Sequence, residues 1–533
     1  MDAERGSQAS TIMTEQAPPD DALPLQRQTG QLGRRVFGAT LLLSGGRVLS
    51  KGFSLLNLVI LARLLSPDDY GVVALAFTAI ALLSAVFETG GGSYLVVREE
   101  LVREHLHTAF TLQCLRGLIL GAIIFLAAQP FAALMGSDTL GPVLQVLALS
   151  PVISAFCNPA IQVYSRNLAF GREVVRDVLG AGLASAAAIG VAIWLQNYWA
   201  LVAGTLIGNM MGMLLTYWRI PYRPRFSLKD WREFASFGGW IVSERIFSQV
   251  NTVAPQLVVW TLLSPAALGI YTVGRNIQKI PLEEALGPLR RSILPSLASC
   301  GKDVVALRRV FRKTQAVICG VVLPGGVGMA FVAEEVILVM AGRQWLDAVI
   351  ILQILSPALA LKMAAGPVNN LGIVLGKLPV ILNRTVFIAL VTYPVLFLTT
   401  WWYGLPGAAV GLALLAGLRI VLNALLVKSM LGEPFFGLFV VGRRSIIAAI
   451  MMGVVLAMLP GMVDGQSFWA AAVSLAVKIL AGVLTYLIAH SVLWLLEKRP
   501  EGVEPIMLEY AGLGFGMIKT AWAKWNMRSA NSG

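Results

Sequence analysis

Nine basic residues lie inside long apolar runs of this chain: Arg47, Lys51, Arg116, Arg245, Arg275, Lys279, Lys362, Arg419 and Lys478. A charge at the centre of a bilayer costs at least about 2.5 kcal/mol on insertion scales, so each of them needs a reason. Phosphate chemistry supplies one, because a guanidinium stays charged and takes two oxygens of a phosphate at once. Arg47 and Lys51 stand one helical turn apart on one face, as do Arg275 and Lys279. Facing a shared cavity, such groups would clamp an oxyanion of the diphosphate kind.

Each has a competing structural role. Arg245 adjoins Glu244, and Glu283 and Glu284 follow Lys279 by one turn, so ion pairs within the protein would neutralise them. Lys362 has no acidic neighbour in sequence. Arg116 and Arg419 stand close enough to a span end to reach the headgroups, which favours snorkelling for both. Lys478 reads as a packing or lipid contact. Among acids, Glu88 precedes Gly90-Gly91-Gly92, and a buried carboxylate there would bind a coupling proton, unless it pairs with Arg47, Lys51 or Arg98. Glu334 and Glu335 are the second choice for that role. Cys114, Cys157, Cys300 and Cys319 show no metal-ligand spacing and suggest no disulfide framework.

The elements that must position these groups are membrane spans. The chain has 533 residues, 57% hydrophobic and only 13% charged, about half the charge a soluble domain carries. Apolar runs of about twenty residues, each able to cross about 30 Å of hydrocarbon, recur about fourteen times. The net charge of +13 does not indicate nucleic acid: of 42 Lys and Arg, 31 fall in alternate segments and two, Arg63 and Arg343, in the opposite loops. That bias predicts both termini in the cytoplasm, with Arg384 in a cytoplasmic loop and Arg290, Arg308 and Arg312 in a long basic one, where their charge orients the chain and attracts anionic lipid. No cleavable signal peptide is expected, since residues 1–33 are polar.

A repeat orders the spans. Leu64-Leu65-Ser66-Pro67-Asp68-Asp69-Tyr70-Gly71 returns as Leu262-Leu263-Ser264-Pro265-Ala266-Ala267-Leu268-Gly269, with five identities in eight at a shift of 198. Leu149-Ser150-Pro151 is echoed by Leu355-Ser356-Pro357, and Gly171-Arg172 by Gly376-Lys377. Parallel repeats of six spans follow. The shift of 198 lays Arg47 on Arg245, one basic group per half. Locally, Ser-Pro-X-X-X-Gly is only a turn into a helix. The expected fold is all-α: a tail (1–36), a six-helix bundle (37–218), a linker (219–236), a second bundle (237–428), an added hairpin (444–497) and an interfacial tail (498–533).

Ala62-Arg63-Leu64-Leu65-Ser66-Pro67-Asp68-Asp69-Tyr70-Gly71 resembles the segment after the first helix of bacterial polysaccharide transporters, the oligosaccharide flippases of the multidrug/oligosaccharidyl-lipid/polysaccharide superfamily. Glu88-Thr89-Gly90, Phe237-Gly238-Gly239-Trp240 and Gly269-Ile270-Tyr271 extend the likeness over about residues 35–430. It implies two pseudo-symmetric bundles around a cavity, no enzymatic activity and no cofactor beyond a proton or sodium gradient. The implied substrate is an undecaprenyl diphosphate-linked oligosaccharide, moved from the cytoplasmic to the periplasmic leaflet of the inner membrane. The implied partners are a polysaccharide polymerase and export machinery. Arg47, Lys51, Arg245, Arg275, Lys279 and Lys362 would bind the diphosphate, and Glu88 would couple an ion. A flippase for the peptidoglycan lipid precursor and a drug/cation antiporter share the architecture. A cation exporter wants acids at its centre, where this chain carries bases. A membrane-embedded polymerase would want external carboxylates or a large external loop.

Overall fold

The computed structural model describes residues 32–87, 102–166, 170–229, 231–284, 286–301, 303–459 and 468–497. Among them the regular structure is helical throughout: without water, a backbone crossing lipid must satisfy its own N–H and C=O groups. The first half comprises α1 (Leu32–Leu64), α2 (Pro67–Val86), α3 (Arg103–Leu134), α4 (Leu140–Leu147), α5 (Leu149–Ala155), α6 (Ile161–Arg166), α7 (Gly171–Leu195) and α8 (Trp199–Leu215). The second comprises α9 (Trp231–Leu262), α10 (Pro265–Lys279), α11 (Gly287–Ala298), α12 (Val304–Phe331), α13 (Ala333–Met340), α14 (Ala348–Ala364), α15 (Val368–Val374) and α16 (Leu378–Leu431). The added hairpin is α17 (Gly437–Met458) and α18 (Phe468–Leu496). Among the described residues eight helices are long and apolar enough to cross a membrane, and shorter apolar segments accompany them.

Several spans are less regular than the apolar runs predict. The apolar stretch 140–166 divides into α4, α5 and α6, and the stretch 348–374 breaks at Gly366-Pro367 into α14 and α15. α10 ends in a π-helical turn, Ile280–Glu284, and the basic stretch after it, expected as loop, contains α11. α16 is continuous by hydrogen bonding, yet Gly404 inside it has φ 61° and ψ −140°. The chain reverses there: Arg384 on one arm donates to Asn423 Oδ1 on the other at 2.6 Å. Each arm is long enough to cross the hydrocarbon core by itself.

That backbone conformation is open to glycine and to almost nothing else. Gly404→Ala is therefore expected to destabilise the protein by about 1–3 kcal/mol, seen as a lower thermal midpoint in detergent. An unchanged midpoint would count against the reversal.

α12 starts where its sequence caps it: Asp303 accepts from the backbone N–H of Val305 at 2.8 Å and of Ala306 at 3.2 Å. Its first turns hold Arg308 and Arg312, read from sequence as lipid-attracting charge. In the structure both meet the buried Glu433 just beyond α16, Arg312 at 2.6 Å and Arg308 at 3.2 Å. The added hairpin is fastened by a second pair: Lys478 of α18 meets Glu335 of α13, and Ser474 Oγ donates to the same carboxylate oxygen at 3.2 Å. Lys478 is thus a packing residue, as its place outside the repeat suggested.

Candidate functional site

α9, α10, α11, α14, α15 and α16 enclose a cavity of about 570 Å³ in the second half. Five cations line it: Arg275 from α10, Arg290 from α11, Lys362 from α14, and Arg384 and Arg419 from the two arms of α16. No carboxylate is among the described residues of the lining. The neutral polar groups include Ser248, Asn251 and Thr252 of α9 and Asn369 and Asn370 of α15.

The cations are held by helix geometry and by amides. Arg384 spans two amide oxygens, Asn423 Oδ1 and Asn369 Oδ1, each at 2.6 Å, tying α15 to both arms of α16. Arg275 donates through Nη1 to the hydroxyl of Tyr271, one turn back, at 3.2 Å. Tyr271 is 1% exposed, so its ring fixes the stem of that arginine. Asn251 bonds the Thr385 carbonyl at 3.4 Å and accepts from the Thr392 hydroxyl at 2.9 Å, which holds α9 against α16. Five basic groups, with no carboxylate among the described lining residues, give the cavity a field that favours an anion.

Of the residues singled out from sequence, Arg275 and Lys362 meet in this cavity. Lys279 closes α10, half-buried, outside the described lining. Arg47 is exposed on α1, and its Nη1 lies 3.8 Å from where a Cβ on Gly287 would stand. Gly287 opens α11, one turn before Arg290, so Arg47 reaches from the first half to the helix that carries a cavity cation. Lys51 is exposed one turn further along α1. Arg245 falls within α9, but its side chain, and Glu88 entirely, lie outside the described residues; so the Arg47–Arg245 pairing is not on view.

Three cavity cations were not foreseen. In sequence Arg419 stands near a span end, where it reads as snorkelling, Arg384 as part of a loop and Arg290 as part of a basic segment. One signal was available: Arg384 and Asn423 lie 20 and 19 residues either side of Gly404, so a hairpin turning there sets them face to face.

A family model described as "Polysaccharide biosynthesis protein" matches residues 60–350, more than half of the chain. The chain belongs to this family. Relatives of the polysaccharide biosynthesis family include the lipopolysaccharide biosynthesis protein WzxC of Escherichia coli (strain K12), 22% identical over 393 residues, covering 72% of this chain and 79% of that one. The succinoglycan biosynthesis transport protein ExoT of Rhizobium meliloti (strain 1021) is 24% identical over 307 residues, covering 56% of this chain and 62% of that one. Among solved structures, the lipid II flippase MurJ in an inward closed conformation aligns with TM-score 0.65 at 15% identity, covering 86% of this chain and all of that one. An inward-facing multidrug resistance transporter of the MATE family aligns with TM-score 0.54 at 14% identity, covering 76% of this chain and 95% of that one. The family, the fold and the spans together make the chain a multi-pass inner-membrane transporter of polysaccharide biosynthesis, not an enzyme.

Proposed function

We infer that the chain is a flippase for a polyprenyl diphosphate-linked oligosaccharide, carrying it from the cytoplasmic to the periplasmic leaflet by alternating access. The observation that carries this is the cavity of five cations without a carboxylate among its described lining residues. Each ammonium or guanidinium there repels the others, and a diphosphate offsets that repulsion while taking hydrogen bonds from the arginine forks. At about 570 Å³ the cavity suits a ligand of drug size, room for a diphosphate with the first sugar. The rest of the glycan would extend past α11 toward Arg47, whose Nη1 lies beside Gly287, and the lipid tail would stay in the bilayer.

The same lining argues against a drug/cation antiporter, whose positively charged cargo this field would reject. The peptidoglycan precursor also carries a diphosphate, so the charge does not discriminate. The relatives' names, lipopolysaccharide and succinoglycan biosynthesis, favour a repeat unit of an exported polysaccharide. The charge bias of the loops sets both termini in the cytoplasm, and a proton or sodium gradient, with Glu88 as the coupling group, would drive the cycle. A polymerase and export machinery would consume the product.

Reconstituted liposomes bearing a fluorescent polyprenyl diphosphate sugar test the reading, with reductant added outside to quench exposed label. Protein is expected to give access to the inner-leaflet pool while the lipid is recovered chemically unchanged. Quenching no faster than in protein-free liposomes would overturn it.

A further inference from the structure

The repeated Ser-Pro-X-X-X-Gly segments do more than turn the chain. Each opens a helix, with Ser66 Oγ accepting from the N–H of Asp69 at 3.2 Å and Ser264 Oγ from that of Ala267 at 3.1 Å. The two helices so opened, α2 and α10, press directly on one another. A Cβ on Gly71 would stand 1.9 Å from the carbonyl oxygen of Pro265, and a Cβ on Gly269 would stand 1.9 Å from that of Pro67. The glycine of each copy therefore receives the proline carbonyl of the other, around the pseudo-two-fold axis. No side chain fits at either position while the helices touch.

Side chains that cap helix ends across the two halves flank this contact. Trp345 Nε1 and Gln344 Nε2 donate to the Ala62 carbonyl at the end of α1, at 2.7 and 2.6 Å. Arg63 Nη2 donates to the Val339 carbonyl of α13 at 2.7 Å. On the other flank Trp260 Nε1 donates to the Met135 carbonyl past α3 at 3.0 Å. Ala62 and Trp260 are themselves one repeat shift of 198 apart. Tyr70 and Trp345, both buried, stack edge to face at 5.2 Å beneath.

We propose that the two segments form one gate, shut in this structure, which closes the transport path at the periplasmic end, and that α10 couples it to the cavity. Arg275 follows Pro265 by ten residues, about 15 Å along the same helix, with Tyr271 braced between. Withdrawing α10 from α2 must move Arg275, so an anion drawn onto Arg275 and the gate contact bias one rigid element. The copies are not equal. Asp69 bonds Ser66 and also accepts from the N–H of Tyr198 at 3.0 Å, fastening α2 to its own half, whereas Ala267 offers no such group. α10 is thus the side that moves.

The test reads accessibility rather than transport, so its failure is separable from failure of the flippase reading. In a background with the four native cysteines replaced by alanine, Ala74→Cys places a buried thiol one turn below Gly71. A membrane-impermeant maleimide applied outside right-side-out cells or vesicles should label it slowly. Gly71→Ala and Gly269→Ala are expected to raise labelling about tenfold or more by shifting the population toward the open gate. Gly52→Ala, where a Cβ meets nothing within 4 Å, should leave labelling unchanged. Trp345→Phe, which keeps a ring and deletes the bond to Ala62, should raise labelling without adding bulk at the contact. Unchanged labelling in all three gate variants, each eluting as a single folded species, would overturn the proposal, as would labelling gained only from the cytoplasmic face.

Discussion

Lys362→Glu is expected to abolish flipping in reconstituted liposomes, and Arg275→Ala and Arg419→Ala to slow it by about 10- to 150-fold. The smaller effects follow from losing one hydrogen bond to a charged group, about 1.5–3 kcal/mol each. Reversal at Lys362 goes further: it sets a carboxylate among four guanidinium groups, where it neutralises locally the field a diphosphate must find. Arg384→Lys is a sharper probe of geometry. A lysine keeps the charge but cannot span the amides of Asn369 and Asn423, so α15 loses its tie to the arms of α16. Arg47→Ala should be milder, since Arg47 stands beside α11 outside the described lining, and Lys51→Ala milder still. Substrate binding measured alongside flipping separates loss of affinity from loss of movement. Wild-type rates in Lys362→Glu and Arg275→Ala, with protein incorporated normally, would sink the cavity as the substrate site.

That ranking differs from what the sequence alone supports, for a physical reason. A charge inside an apolar run is conspicuous, because lipid offers it nothing; Arg275 and Lys362 stood out on that ground. Near the end of a run the signal becomes degenerate. A side chain reaching the headgroups and one turning into a cavity sit at the same distance from the end of the span, and only tertiary packing separates them. Arg419 and Arg384 were lost in that degeneracy. Arg290 was lost for another cause, since α11 is short and basic and lacks the long apolar run that announces a span. The architecture was easier to read, because each span must satisfy its backbone within itself and so leaves a contiguous apolar stretch. The Ser-Pro-X-X-X-Gly repeat gave the order of the halves, yet its contact could not be inferred, because nothing local in either copy says that its partner is the other copy.

Glu335→Ala, with Lys478 retained, is expected to destabilise the protein by about 3–5 kcal/mol, because the lysine is left charged and buried without its counter-ion. Glu335 is 2% exposed and Lys478 9%, so water cannot replace the lost carboxylate. Thermal unfolding in detergent, followed by the fraction remaining monodisperse after heating, measures the loss. The double variant Glu335→Leu with Lys478→Met is expected to recover most of it, since an apolar pair of similar volume is often as stable as a buried ion pair. A single variant as stable as wild type would show that the pair holds nothing. The double variant also decides what the pair is for. α17 and α18 have no counterpart in the repeat, and the Lys478–Glu335 pair fastens α18 to α13, which leads to the Arg63 contact at Val339. A carboxylate so engaged cannot exchange a proton in each cycle without first releasing its lysine and loosening the hairpin. Full flipping by the double variant would therefore assign Glu335 to fastening and leave ion coupling to another acid.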